Sequence, residues 1–227
     1  MQITDGGFKM GTVERKEKER LTRRQDVIDA AEALFMEKGY EHATMDDIAM
    51  DAGFTKKTIY AYFSSKDEIS MEIMLKGFKA LNKLIDDTLA LNINESSIES
   101  IRCLGLAFAD FSQKYPYYYK IITNYENKER DFNPSNPSKL VDDCYIAGQY
   151  SMQHLEAFIK AGISKKEILD DTDPKIIALV LWSSVTGLIN IIGRKEKYIA
   201  AYFNDNTNLI LLEGLKLILN AIRYKTY

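Results

Sequence analysis

With two cysteines, two histidines and four prolines in 227 residues, this sequence has little material for several kinds of chemistry. Cys103 and Cys144 lie far apart and show no CxxC spacing, so neither a redox thiol pair nor a four-ligand zinc site is expected. No GxxxxGK phosphate loop, no HExxH helix and no glycine-rich turn after a strand pattern is present. His42 falls between two helices and His154 on an amphipathic one, so no catalytic constellation assembles. Neither an enzyme nor a bound cofactor or metal is expected. No secretory apolar region opens the chain. The most apolar run, from Ile176 to Ile192, is interrupted by Ser183, Ser184, Thr186 and Asn190 and falls short of the roughly 20 residues of a membrane span. A cytoplasmic address with buried free thiols is the expectation, with no membrane partner. Positive charge is not in excess either: 30 lysines and arginines stand against 33 acids, a net charge of −3. No global field draws the chain to nucleic acid, so any such footprint must be local.

The sequence does supply helix. It is 46% apolar and 28% charged, and its length accommodates a small module joined to a larger body. Strand alternation persists nowhere, and the expected fold is all-α with about nine helices. Val27, Ala31, Leu34 and Phe35 form one helical stripe that stops at Gly39. Thr44 precedes Met45, Asp46 and Asp47, a cap followed by an acidic first turn. Gly53 ends this second helix, and Thr55 caps a short third one. Ser65 and Glu68 have capping-box spacing and open a long helix to about Leu91. Further helices are expected over 97–114, 116–125 and 138–161. Another follows from Asp173 and Pro174 to about Arg194, and the last from Asn206 or Thr207 to about Tyr224. A polar loop is expected at 127–137. The domains are expected at 1–20 (a flexible or partly helical arm), 21–66 (a reading head) and 67–227 (a body).

Between Thr44 and Lys66 two short helices share the apolar residues Ile48, Ala49, Ala52, Phe54, Ile59 and Phe63, with a glycine where the chain turns. That is a helix-turn-helix pattern. Its second helix offers Thr55, Lys56, Lys57, Thr58, Tyr60 and Tyr62, all hydrogen-bond donors. From Phe54 to Lys66 there are three lysines and no acid. A basic arm over Thr12–Arg24 could reach a DNA groove or simply form a solvated helix face.

The run from Thr44 to Glu68 (TMDDIAMDAGFTKKTIYAYFSSKDE), preceded by AAEALFMEKGY from Ala30 to Tyr40, resembles the DNA-binding signature of the tetracycline-repressor (TetR) family. The likeness covers about 22–70; Phe54 and Thr55 replace the family's more usual smaller aliphatic residue and Ser. It implies a sequence-specific, DNA-binding transcriptional regulator, most simply a repressor released from a palindromic operator by a small-molecule effector. Thr44, Thr55, Tyr60, Tyr62 and Lys66 would then hold phosphates. Lys56, Lys57 and Thr58 would read base edges in the major groove.

Helix-turn-helix modules of this size usually work in pairs, so a homodimer is expected. The last two helices are the candidates, through Ser183, Gly187, Ile191, Leu211, Leu215 and Ile218. The resemblance also implies an effector pocket in the aromatic-rich middle, for a lipophilic or aromatic ligand. Its candidate residues are Phe108, Phe111, Tyr145, Tyr150, Met152 and Trp182, with Asp110, Asp143 or Glu156 as counter-charges should the ligand be cationic. Aromatics at helical spacing are more often the mark of an ordinary core than of a binding site.

Overall fold

The computed structural model describes residues 11–91, 96–126, 139–203 and 207–224. Among them the chain forms ten helices and no strand: α1 Thr12–Lys38, α2 Met45–Asp51, α3 Lys56–Tyr62, α4 Lys66–Leu91, α5 Ser97–Lys114, α6 Pro116–Glu126, α7 Lys139–Ser164, α8 Pro174–Arg194, α9 Glu196–Phe203 and α10 Thr207–Ala221. The all-α expectation holds, with one helix more than expected, α9. The loop expected at 127–137 lies outside the described residues. The chain divides into two compact units, Met1–Ile73 and Met74–Tyr227.

In the first unit α1 is one continuous helix whose opening turns, up to Thr22, are exposed; ion pairs Arg20–Glu17 and Arg23–Glu19 lace its surface. Its inward stripe of Val27, Ile28, Ala31, Leu34 and Phe35 is buried. Gly39 ends it at φ +83°, where a Cβ would be strained. The remaining core comes from Ile48, Ile59, Phe63, Ile69 and Ile73. Arg24 lies 4.7 Å over the Phe63 ring and pairs with Glu72, so its charge is compensated where the helices meet.

In the second unit, α5 and α7 pack closely, and α8 and α10 close the core around Ile85, Ile101, Leu104, Phe108, Leu155, Ile159 and Leu181. Both cysteines are free and buried. Where α7 ends, Glu167 donates its backbone N–H to the Gly162 carbonyl and Lys166 to that of Ile163. This Schellman stop puts Lys166 at φ +55°. The turn lets Ile168 fold back onto Gly162, where a Cβ would lie 2.5 Å from its Cδ1. Asp173 caps α8 through the Lys175 N–H at 2.8 Å.

Helix α8 is two-faced. Ile177, Ala178, Leu181, Val185 and Ile189 are buried, whereas Ile176, Leu179, Val180 and Ile191 are more than half exposed. By length and composition alone it is apolar enough to cross a membrane, a test that core helices of soluble proteins also pass.

Candidate nucleic-acid interface

The reading head is built by local hydrogen bonds. The Thr44 hydroxyl accepts from the Asp47 N–H at 3.1 Å, and the Asp47 carboxylate accepts from the Thr44 N–H at 3.0 Å and its hydroxyl at 2.7 Å. This reciprocal cap fixes the start of α2. The same bonds, the hydroxyl's first, hold the Asp47 carboxyl below the usual carboxylate range. At the other end the Gly53 N–H bonds to Met50 O and the Phe54 N–H to Ala49 O, with Gly53 at φ +68°. That Schellman turn sends the chain straight into α3. Thr55 then caps α3 by accepting from the Thr58 N–H at 3.2 Å, while the two threonine hydroxyls hydrogen-bond each other at 2.8 Å.

Helix α3 therefore has a fixed orientation within its unit. Ile59 and Phe63 point inward and are essentially inaccessible, Thr58 and Tyr62 are half-buried, and Lys56, Lys57, Tyr60 and Ala61 face out. Ala61 shares the outward face with Lys57 one turn earlier and was not singled out from the sequence. A methyl group there suits a thymine methyl, and the i, i+4 spacing from Lys57 was the signal that could have found it.

Two lysines are already engaged. Lys56 pairs with Asp46 at 2.8 Å across the turn, which raises its pKa through that hydrogen bond and charge, and which tempers the electropositive island expected from the sequence. Lys66 is half-buried. Its ammonium donates to the Tyr40 and Ala43 carbonyls at 2.7 and 2.8 Å and sits 4.3 Å from the centre of the Tyr40 ring. The Tyr40 hydroxyl in turn donates to Asp67 at 2.5 Å. Lys66 thus ties the loop before α2 to the start of α4.

Among the described residues, the body has a cavity of about 40 Å³ lined by Ile85, Ile101, Leu104, Gly105, Phe108, Ser151, Leu155, Leu181, Trp182, Val185, Leu215, Ile218 and Leu219. Of the expected pocket residues, Phe108 and Trp182 line it, their rings 4.6 Å apart. Phe111 is fully buried elsewhere in the core, Tyr145 is more than half exposed, Tyr150 bonds to Asp86, and Met152 is not on the wall. None of the expected counter-charges lines it; Asp110 pairs with Lys114 and Glu156 with Lys160 at the surface.

Residues 27–73 match the family model of bacterial regulatory proteins of the tetR family. The head therefore carries a TetR-type DNA-binding domain. It is 34% identical over 101 residues to the negative transcriptional regulator IcaR of the biofilm operon icaADBC in Staphylococcus aureus, covering 43% of this chain and 52% of that one. It is 31% identical over 100 residues to the transcriptional activator FasR of Mycolicibacterium smegmatis, covering 44% and 45%. The chain thus spans about half the length of these curated relatives. A solved structure, the fatty acid degradation regulator FadR from Bacillus halodurans, superposes with a TM-score of 0.64 over 89% of this chain and 97% of that one. At 19% identity this is a likeness of TetR-type fold.

The expected pairing residues divide between surface and interior. Ser183 and Ile191 are exposed, and they continue the apolar surface of Ile176, Leu179 and Val180 along α8. Gly187 has nothing near the position its Cβ would take, and Leu211 is half-buried. Leu215 is 3% exposed and, with Ile218, lines the cavity, so these two side chains serve the protomer's own interior. Leu209, Leu212 and Leu217 are the exposed large residues of α10 instead. Sequence periodicity could not tell which α10 face the body takes.

Proposed function

We propose that the chain is a sequence-specific DNA-binding transcriptional regulator that works as a homodimer, most simply as a repressor released from a palindromic operator by a small-molecule effector. The observation that carries this reading is the outward face of α3: Lys56, Lys57, Tyr60 and Ala61 exposed together on a helix whose entry and orientation are set by the Gly53 turn and the Thr55 cap. Such a helix fits the major groove, where lysine donates to guanine O6 or N7. Lys57, Lys56 and Thr58 read bases. Thr44 and Thr55 at helix starts, with Tyr60 and Tyr62, take phosphates and set register. Lys66 acts by bracing the head, since its ammonium is already held by two carbonyls.

Pairing through the exposed α8 surface and the Leu209–Leu212 side of α10 removes from water the exposed aliphatic residues Ile176, Leu179, Val180, Ile191, Leu209 and Leu212. Two heads then meet half-sites about 34 Å apart. An effector that binds the cavity acts by population shift, favouring a body conformation in which the heads leave register with adjacent grooves. The relatives include both an activator and a negative regulator, so repression is the simplest sign rather than one the family dictates.

Selection of duplex fragments from a genomic library by purified protein, without small molecules and at low ionic strength, tests the reading. A palindromic site should be enriched by the wild type and not by Lys57→Ala/Tyr60→Ala. Equal recovery of unrelated fragments by both proteins would refute sequence reading by α3.

A further inference from the structure

The chemistry of the body cavity narrows its ligand. Resting on the reading of the body as effector-binding, we propose that the cavity takes a slender, uncharged aliphatic chain bearing one neutral polar group that hydrogen-bonds to Ser151. Its wall carries no Asp, Glu, Lys, Arg or His. A charged ligand group would be buried there without a partner, which is strongly unfavourable, so the cationic ligand considered from the sequence does not fit. Ser151 carries the one hydroxyl on the wall. It is only 6% exposed, and among the described residues its hydroxyl has no recorded partner. A buried hydroxyl without a partner gains most from a ligand that supplies one.

Shape points the same way. At about 40 Å³ the space must widen for any such ligand, and a narrow chain demands less widening than a fused ring system. Leu104, Leu155, Leu181, Leu215 and Leu219 surround it, and leucine side chains yield to a chain by changing rotamer. A rigid polycycle would instead require the helices to part, against close packing. On the α5 wall Gly105 keeps the space thin: a Cβ there would approach Leu215 Cδ2 to 3.1 Å. Trp182, the only tryptophan, stands on this wall and reports occupancy directly.

The test is a Trp182 fluorescence titration of the full chain, without DNA, using 1-alkanols from butanol to dodecanol beside n-alkylammonium ions, n-alkanoates and a decalin alcohol. The 1-alkanols should bind, tightening about fourfold per added methylene up to a length limit. Charged chains of equal length, and the decalin alcohol, should bind at least tenfold more weakly. Ser151→Ala should weaken the 1-alkanols by roughly two- to tenfold and leave the slope with chain length unchanged. Equal affinity for charged and neutral chains, no dependence on chain length, or no Trp182 response to any alkanol would overturn the assignment. A parallel gel shift separates this from the effector reading. Alkanol binding without DNA release would sink the effector role and keep the ligand class; release by a charged or polycyclic compound would do the reverse.

Discussion

The head and the body are held in shape by different means. In the head, Lys56, Lys57, Tyr60 and Ala61 lie outside on α3, and the turn and caps that place the two short helices are hydrogen bonds between residues a few positions apart: Thr44 to Asp47, Thr55 to Thr58, Phe54 to Ala49. In the body, the cavity has almost no polar surface and is assembled from α4, α5, α7, α8 and α10, which are distant in sequence. Caps and turns leave short-range signatures, whereas a cavity depends on which helix faces happen to meet.

Substitutions separate the two modes, the largest effect first. Phe63→Ala removes a ring that is 1% exposed and carries Arg24 against it, and should cost about 3–5 kcal/mol. DNA retention is then lost while Trp182 emission stays native; a simultaneous change in Trp182 would show that the units do not melt separately. Gly162→Ala strikes the body, where the new methyl overlaps Ile168 and crowds Ser97. A loss of about 1–3 kcal/mol in denaturant titration followed by Trp182 is expected. Thr55→Ala deletes the α3 cap and should cost about 1 kcal/mol, read as a lower melting point of the head.

Smaller effects sharpen the assignments. Lys66→Met should lower head stability and leave the slope of log Kobs against log salt unchanged, because its ammonium donors are held by the Tyr40 and Ala43 carbonyls rather than by a phosphate. A slope reduced by about one unit per head would instead make Lys66 a phosphate contact. The smallest effect is that of pH. Because Thr44 holds the folded Asp47 carboxyl below its unfolded value of about 4, this cap contributes fully above pH 4 and is lost as pH falls through the folded value. Asp47→Asn should flatten the acid limb of a stability profile; an unaltered limb would remove the cap from the account.

The same contrast explains what the sequence disclosed. The two short helices, the turn at Gly53 and the caps at Thr44, Thr55 and Asp173 were legible because each is a residue type at a fixed offset. Helix α9 was missed because eight residues make little more than two turns, too few for periodicity to show. Lys66 was expected to hold a phosphate, and its bonds to the Tyr40 and Ala43 carbonyls left no short-range mark because those partners stand more than twenty positions earlier. Aromatic density drew attention to Tyr145 and Phe111, yet one is exposed and the other fully packed. The aliphatic residues that dominate the cavity carry no mark distinguishing them from ordinary core.

The direct test of the central claim is equilibrium binding of the selected duplex, and of duplexes changed at single base pairs, by wild type and Lys57→Ala. If α3 lies in the major groove, Lys57→Ala should lose about 1–3 kcal/mol on the intact site and tolerate substitution at one symmetric pair of positions while still discriminating at the others. Loss of affinity by the same factor on every duplex, with discrimination untouched, would mean that this helix does not read the sequence.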